Sequence, residues 1–369
     1  MTSSHEAGSY ERAGVDYETL DAAKRSALAA ALGTSALPGG RATMVDASRG
    51  EPATVLRVGD TTLGFVLECL GTKSQIARAY EEVAGVDRFA AIGYDTVAAA
   101  VNDLVCVGAL PVVVNAYFAT GAAEWYRGTR HESLVNGFRD GCVAASAAWG
   151  GGESPTLSGL VDPEGIDLAA SAIGVVPPGS SAPWLGAALA PGDEIVLVAS
   201  TGLHANGASL ARAVTGGLTD GLRHRLPSGR ELGDALLDPT AIYVRLVAAL
   251  VDEHVPVSYV SHITGHGWRK LMRADRALGY SIDTLPEVPE VLRFLADAAG
   301  MGDRESYGTF NMGAGLAVYC RPGSGGDVVD AAKGCGMAAL VAGEVVAGPR
   351  RVVIAPLGIE YEAGDLDLR

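Results

Sequence analysis

The sequence predicts a mixed α/β (α+β) chain of two domains, each a sheet flanked by helices. Three observations carry this. The chain has 369 residues, more than one compact core holds. Strand-like apolar runs alternate with helix-like stretches in both halves. A Pro/Gly/Ser cluster, "PPGSSAP" at 177–183, separates halves that each hold a strand, a glycine turn and a helix start. The expected division is a mobile N-terminal segment over 1–20, a first domain over 21–178 and a second over 179–369.

Taken in order, "TTLGFVLECLGTKSQIARAY" reads as a strand, a glycine turn and a helix start. "FAAIGYDTVAAAVNDLVCV" at 89–107 reads as a helix, ended by a Gly–Pro break before the strand "PVVVNAYFA". A helix through "HESLVNGFRDGCVAASAAW" is expected to end at Gly150-Gly151-Gly152. "IDLAASAIGVV" is a strand before the linker, and "DEIVLVAS" is a strand after it. "TGLHANGASLARAV" is a turn entering a helix. "MGAGLAVYC" and "RRVVIAP" are further strands.

Composition narrows the function classes. A net charge of −15 argues against nucleic-acid and anionic-membrane partners. Five cysteines, an odd number without paired spacing, suit a reduced cytoplasmic chain without a disulfide framework or zinc site. The polar start has no signal-peptide apolar core. The uncharged run from Leu104 to Ala123 has the length of a membrane span, but it contains Gly108, Pro111, Asn115 and Gly121. It reads as buried elements of a soluble protein.

Asp95 and Asp103 stand eight residues apart in the apolar stretch 89–107. On a helix that spacing puts them, with Asn102 nearby, close to one edge. Two carboxylates on a buried face repel unless a cation lies between them, and oxygen ligands of this kind suit Mg2+. The plainer alternative is a helix whose acids face solvent.

Other stretches carry candidate chemistry. "ECLGTKSQIARA" offers Glu68, a turn at Gly71 and Thr72, and Lys73 at a helix start, where free N–H groups suit a phosphate. The Walker spacing is absent. "STGLHANGASL" repeats the arrangement with Gly202, His204, Asn206 and Gly207. "SHITGHGWRKL" places His262 and His266 around a Thr264–Gly265 turn. Asn311 precedes a glycine-rich strand, and Glu153 follows a glycine run, as a ligand or a cap.

In order, "SYERAGVDY", "LGTKSQIARA", "GYDTVAAAVNDLVCVGALPVVVNAYFATG", "GGE", "STGLHANGASLARAV", "LLDPTAIYV", "SHITGHGW" and "TFNMGAGLAV" resemble the aminoimidazole ribonucleotide synthetases, or phosphoribosylformylglycinamidine cyclo-ligases. The resemblance covers nearly the whole chain. It implies two α/β domains and a homodimer whose N-terminal sheets build a shared barrel. It also implies an ATP- and Mg2+-dependent ligase of purine biosynthesis acting on a small-molecule amide ribonucleotide. On that resemblance Asp95 and Asp103 hold Mg2+, with Glu68 and Glu153 as helpers. Gly71, Thr72, Lys73, Asn102 and Asp16 contact the nucleotide, and Tyr10–Asp16 folds over it. Gly202, Asn206, Gly207, Thr264 and Asn311 hold the substrate. His262, His204 and Lys73 are the catalytic candidates. Selenophosphate synthetase and a hydrogenase maturation factor belong to the wider superfamily. The reactive N-terminal and C-terminal cysteines of those two are absent, since none precedes Cys69 and the chain ends "EAGDLDLR".

Five positions depart from the pattern: Glu68 and Cys69 stand for Asp and Gly, Thr156 for Glu, Ala205 for Ser and His266 for Gly. Most lie in expected site loops. They leave open a paralogue acting on another amide, or a nucleotide-binding homologue without catalysis. His266 is expected to add a cation that titrates near ~6.5, so that affinity for a phosphorylated substrate falls as pH rises from about 6 to 8.

Overall fold

The computed structural model describes residues 17–366. Asp16 and the Tyr10–Asp16 segment, expected to contact the nucleotide, lie outside the described residues. Tyr17–Leu20, the end of the expected mobile segment, form the first turn of helix α1 (Tyr17–Leu32).

The first sheet has six strands in the order β1-β2-β3-β6-β4-β5. These are Thr43–Met44, Thr54–Val58, Thr61–Cys69, Ile166–Val175, Leu110–Thr120 and Ala148–Glu153, respectively. The second sheet has seven, in the order β13-β12-β9-β11-β7-β10-β8. Strand β7 (Glu194–Ala199) lies between β11 and β10 (Ala314–Cys320), with β8 (Val257–His262) at one edge. The neighbours β9 and β11 are Leu278–Ile282 and Ala339–Ala347, and β12 and β13 are Arg351–Ile354 and Ile359–Glu362. Among the described residues neither sheet closes into a barrel.

Helix α2 (Lys73–Ala84) follows β3, and α3 (Phe89–Cys106) follows it directly. The Ala- and Val-rich α3 is long and apolar enough to span a membrane, but most of it is buried inside the protein. It packs against β3 and β6, against α4 (Thr129–Ala144) and against β8 of the second domain. Apolar residues all round a helix serve this three-sided burial. The crossing with α4 is backbone-close: a Cβ at Gly93 would meet Leu134 O at 2.0 Å, and one at Gly137 would meet Ala90 O at 1.8 Å. The uncharged run after Leu104 is therefore the end of α3 and strand β4.

The helix expected to run to Gly150 stops at Ala144, and the glycine tract is instead edge strand β5, parallel to β4. The glycines permit a close approach there. A Cβ at Gly152 would lie 2.0 Å from Ala116 O. Strand β8 is fully buried although it is an edge, because α3 covers it. That packing brings the end of β8 to the C-terminal turn of α3.

Candidate active site

A cavity of about 550 Å3 lies where the two domains meet. From the first domain, Glu68 and Cys69 at the end of β3, the turn at Gly71 and Thr72, and Asp103 in the last turn of α3 line it. From the second come His204 to Ser209, Thr240, His262 at the end of β8, and Thr264 to His266. Helix α5 (Ala208–Gly217) points its N-terminus at this space. Its first N–H groups have no side-chain cap.

His262 Nδ1 donates to Asp103 Oδ1 at 2.6 Å, joining the domains inside the cavity wall. Burial works to raise the Asp103 pKa, but the hydrogen bond and charge of His262, with Arg273 and Lys270 behind them, hold it below the ordinary carboxylate range. Glu68 is its hydrogen-bonded neighbour, and burial together with the Asp103 charge pushes the Glu68 carboxyl up to about 8. Two carboxyl groups this close hold a proton between them in the absence of a cation. Hard oxygen donors in that arrangement suit Mg2+, which completes its shell with water and phosphate oxygens. Among the described residues no three His, Cys, Asp or Glu side chains cluster as a complete metal site. Glu68 and Asp103 are the protein ligands that fit.

His204 has a defined tautomer. The Thr201 N–H donates to Nε2 at 3.1 Å, so the ring proton sits on Nδ1. Nδ1 is buried and has no partner among the described residues. Burial, then His262 and Lys73, push the imidazole pKa well below its ordinary value, so the ring stays neutral. The backbone there adopts φ 58°, a left-handed conformation costly for a side-chain-bearing residue. Thr240 Oγ1, also on the cavity wall, is likewise buried and unpartnered among the described residues. Both are polar groups that a ligand would satisfy.

Several residues expected in the site are instead straps between the domains. Lys73 and Asp95 are fully buried, with Nζ 2.5 Å from Oδ2. Asp95 Oδ1 accepts from Thr240 N at 2.7 Å, and Lys73 also reaches Asp238 O at 3.3 Å. Asn102 donates to Ala241 O at 2.8 Å and accepts from Tyr243 N at 2.9 Å. These three side chains tie 238–243 of the second domain to α2 and α3, and none lines the cavity. Asn311 braces the loop beneath the site: it accepts from Ser200 Oγ at 2.7 Å and donates to Gly202 O at 2.8 Å. Neither Asn311 nor Gly202 lines the cavity, and neither does Glu153, exposed on edge strand β5.

His266 differs from its expected role as a cation. Its Nε2 bonds Asp21 Oδ2 of α1 at 2.9 Å, in a buried pair. Burial, with the charges of Lys270 and Arg269, pushes its pKa down to about 3 despite Asp21. It is therefore neutral from pH 6 to 8. Its φ of 70° is left-handed. The sequence reading missed Glu51, Lys270 and Arg273 on the cavity wall. The basic cluster "WRKLMR" directly after the His262–Gly267 turn was the signal for the last two.

The sequence relationships agree with this geometry. Residues 50–176 match the AIR synthase related protein N-terminal domain, and residues 190–355 match its C-terminal domain. A phosphoribosylformylglycinamidine cyclo-ligase of Methanothermobacter thermautotrophicus is 34% identical over 74% of this chain and 77% of its own length. The chain belongs to the AIR synthase related family. A protein of the same name from an Anaeromyxobacter species is 39% identical over 76% of this chain and 79% of its own. One from Thermococcus kodakarensis is 34% identical over 84% and 87%. This is an enzyme family. Among solved structures, hydrogenase maturation protein HypE in complex with ATP aligns with TM-score 0.59 at 19% identity, over 81% of this chain and 83% of HypE. AaThiL complexed with AMPPCP and TMP aligns with TM-score 0.56 at 16% identity, over 85% and 90%. At such identities these two support the fold.

Proposed function

We propose that this chain is an ATP-dependent cyclo-ligase that closes the imidazole ring of aminoimidazole ribonucleotide from formylglycinamidine ribonucleotide, in the cytoplasm. The observation that carries this reading is the convergence of Glu68, Asp103, His262 and His204 on one cavity between the domains, in a chain 30% or more identical to cyclo-ligases along most of its length.

The amide oxygen of the substrate attacks the γ-phosphorus of ATP, ADP leaves, and the amide nitrogen loses its proton to form a C=N bond. The resulting iminophosphate carbon is attacked by an amine nitrogen of the same molecule. Phosphate leaves, and one proton is lost from the attacking nitrogen. Most of the rate comes from positioning and from charge placed in advance. Mg2+ held by Glu68 and Asp103 would withdraw charge from the phosphate oxygens. Asp103 orients His262 through Nδ1, which leaves Nε2 as the atom able to take the nitrogen's proton. The His204 Nδ1–H and the uncapped N–H groups of α5 are donors for negative oxygen.

A homodimer fits the same reading. α3 and α4 cover one face of the six-stranded sheet. On the other face Phe65 is 43% exposed and Leu67 67% exposed, with Val112 and Ile173 beside them. Phe65 pairs with Ile173 across β3 and β6. A bare apolar sheet face of this kind suits a second copy of the chain.

A second reading is a paralogue acting on a different amide. It is favoured by His266, whose ring stands in the cavity wall bonded to α1. Complementation separates the two. Growth of a purine auxotroph lacking this cyclo-ligase supports the first reading. Failure to grow, with the folded chain expressed, favours the second.

A further inference from the structure

With Lys73 sealed against Asp95, other cations must face an anionic ligand. Among the described residues those lining the cavity are Lys24, Lys270 and Arg273. Lys24 stands on α1 with its side chain 60% exposed. Arg273 is committed elsewhere: its Nε and Nη2 donate to Gly50 O at 3.2 and 2.9 Å, and Nε lies 3.8 Å from Glu51 Oε2. Lys270 is different. It sits in the 3-10 turn Gly267–Met272, only 8% exposed, and its carbonyl is fixed by Ser261 Oγ at 2.8 Å. Among the described residues its Nζ has a single hydrogen bond, to Thr264 Oγ1 at 3.3 Å. An ammonium carries three donors, so two are left for the cavity.

We propose that Lys270 is the residue that meets phosphate oxygens in this cavity. The inference rests on the reading of the site as ATP-dependent. A buried cation without a matching ion pair is costly, so packing alone gives no reason for a lysine here. In the empty cavity burial and then Arg273 push the Lys270 ammonium down to about 7, while Asp103 and Glu68 draw it back up and Lys24 opposes them. His266 faces it as a neutral ring. A phosphate group on the open side supplies the negative charge this ammonium lacks. That group is either the terminal phosphoryl of ATP or the phosphate of the ribonucleotide.

The test is calorimetric binding of Mg2+·ATP, and separately of ribose 5-phosphate, to the full chain and to Lys270→Met and Lys270→Arg. Melting curves of the ligand-free variants verify folding. Lys270→Met should bind one of the two probes about tenfold to a hundredfold more weakly, and Lys270→Arg should stay within about threefold of the wild type. The affected probe identifies the source of the phosphate. Unchanged affinity of Lys270→Met for both probes overturns the proposal, as does an equal loss in Lys270→Met and Lys270→Arg, which marks packing. A wild type that binds no Mg2+·ATP overturns the ATP-dependent reading itself, and this inference with it.

Discussion

Lys73 Nζ lies 2.5 Å from Asp95 Oδ2, with neither side chain exposed to solvent. The pair joins the start of α2 to α3 and, through Thr240 N and Asp238 O, to the second domain. Removing one partner leaves an uncompensated buried charge, which typically costs about 3–5 kcal/mol. Asp95→Asn and Lys73→Met should each lose stability on that scale. The double variant should lose less than the sum. Urea unfolding of the three variants measures this. Additive losses would mean that the two residues do not act as a pair.

Glu68 and Asp103 share a proton in the cation-free cavity, with Glu68 at about 8. A raised carboxyl pKa means that the folded chain holds a proton the unfolded chain has released. This contribution to stability is present below the ordinary value and is lost as pH rises toward 8. Mg2+ with a non-hydrolysable ATP analogue should release that proton at pH 7 and raise the melting temperature. Glu68→Gln should remove the proton release. Equal proton release from Glu68→Gln and wild type would place the cation elsewhere.

His266 has the opposite sign. Its pKa is about 3 when folded against an ordinary 6.5, so the unfolded chain binds the extra proton between those values. Its contribution is intact above pH 6.5 and is lost as pH falls through that window. His266→Asn tolerates the left-handed backbone and keeps a donor for Asp21. It should therefore show a shallower loss of stability from pH 6 to 4. From pH 6 to 8 wild type and variant should run parallel, and divergence there would restore the cation reading.

Light scattering should give about twice the 37.7 kDa chain mass. Leu67→Glu, on the bare sheet face, should shift the population to monomer with little change in the helical content. A wild-type monomer at micromolar concentration would remove the sheet-face dimer.

The alternation of strands and helices was legible because glycine turns and prolines punctuate the sequence at β3–α2, α3–β4 and β7–α5. Glu68, Gly71, Thr72, Asp103, His204, Asn206, Gly207, His262 and Thr264 were expected in the site, and they line one cavity. Asp95 and Lys73, expected as ligands, pair with each other outside the cavity wall: each alone has the chemistry of a ligand, and only tertiary packing turns them toward each other. Lys270 was missed because a basic cluster after a turn looks solvated until burial is known. Strand β5 was hidden because glycines that read as a helix stop also allow close strand pairing.

The most direct measurement is a quenched assay of formylglycinamidine ribonucleotide with Mg2+·ATP, comparing wild type with Asp103→Asn. Wild type should form one ADP, one phosphate and one aminoimidazole ribonucleotide per turnover. Asp103→Asn should fold but lose turnover by about a hundredfold or more, because it removes the charge that orients His262. Undiminished turnover in Asp103→Asn would contradict the assignment of this cavity as the catalytic site.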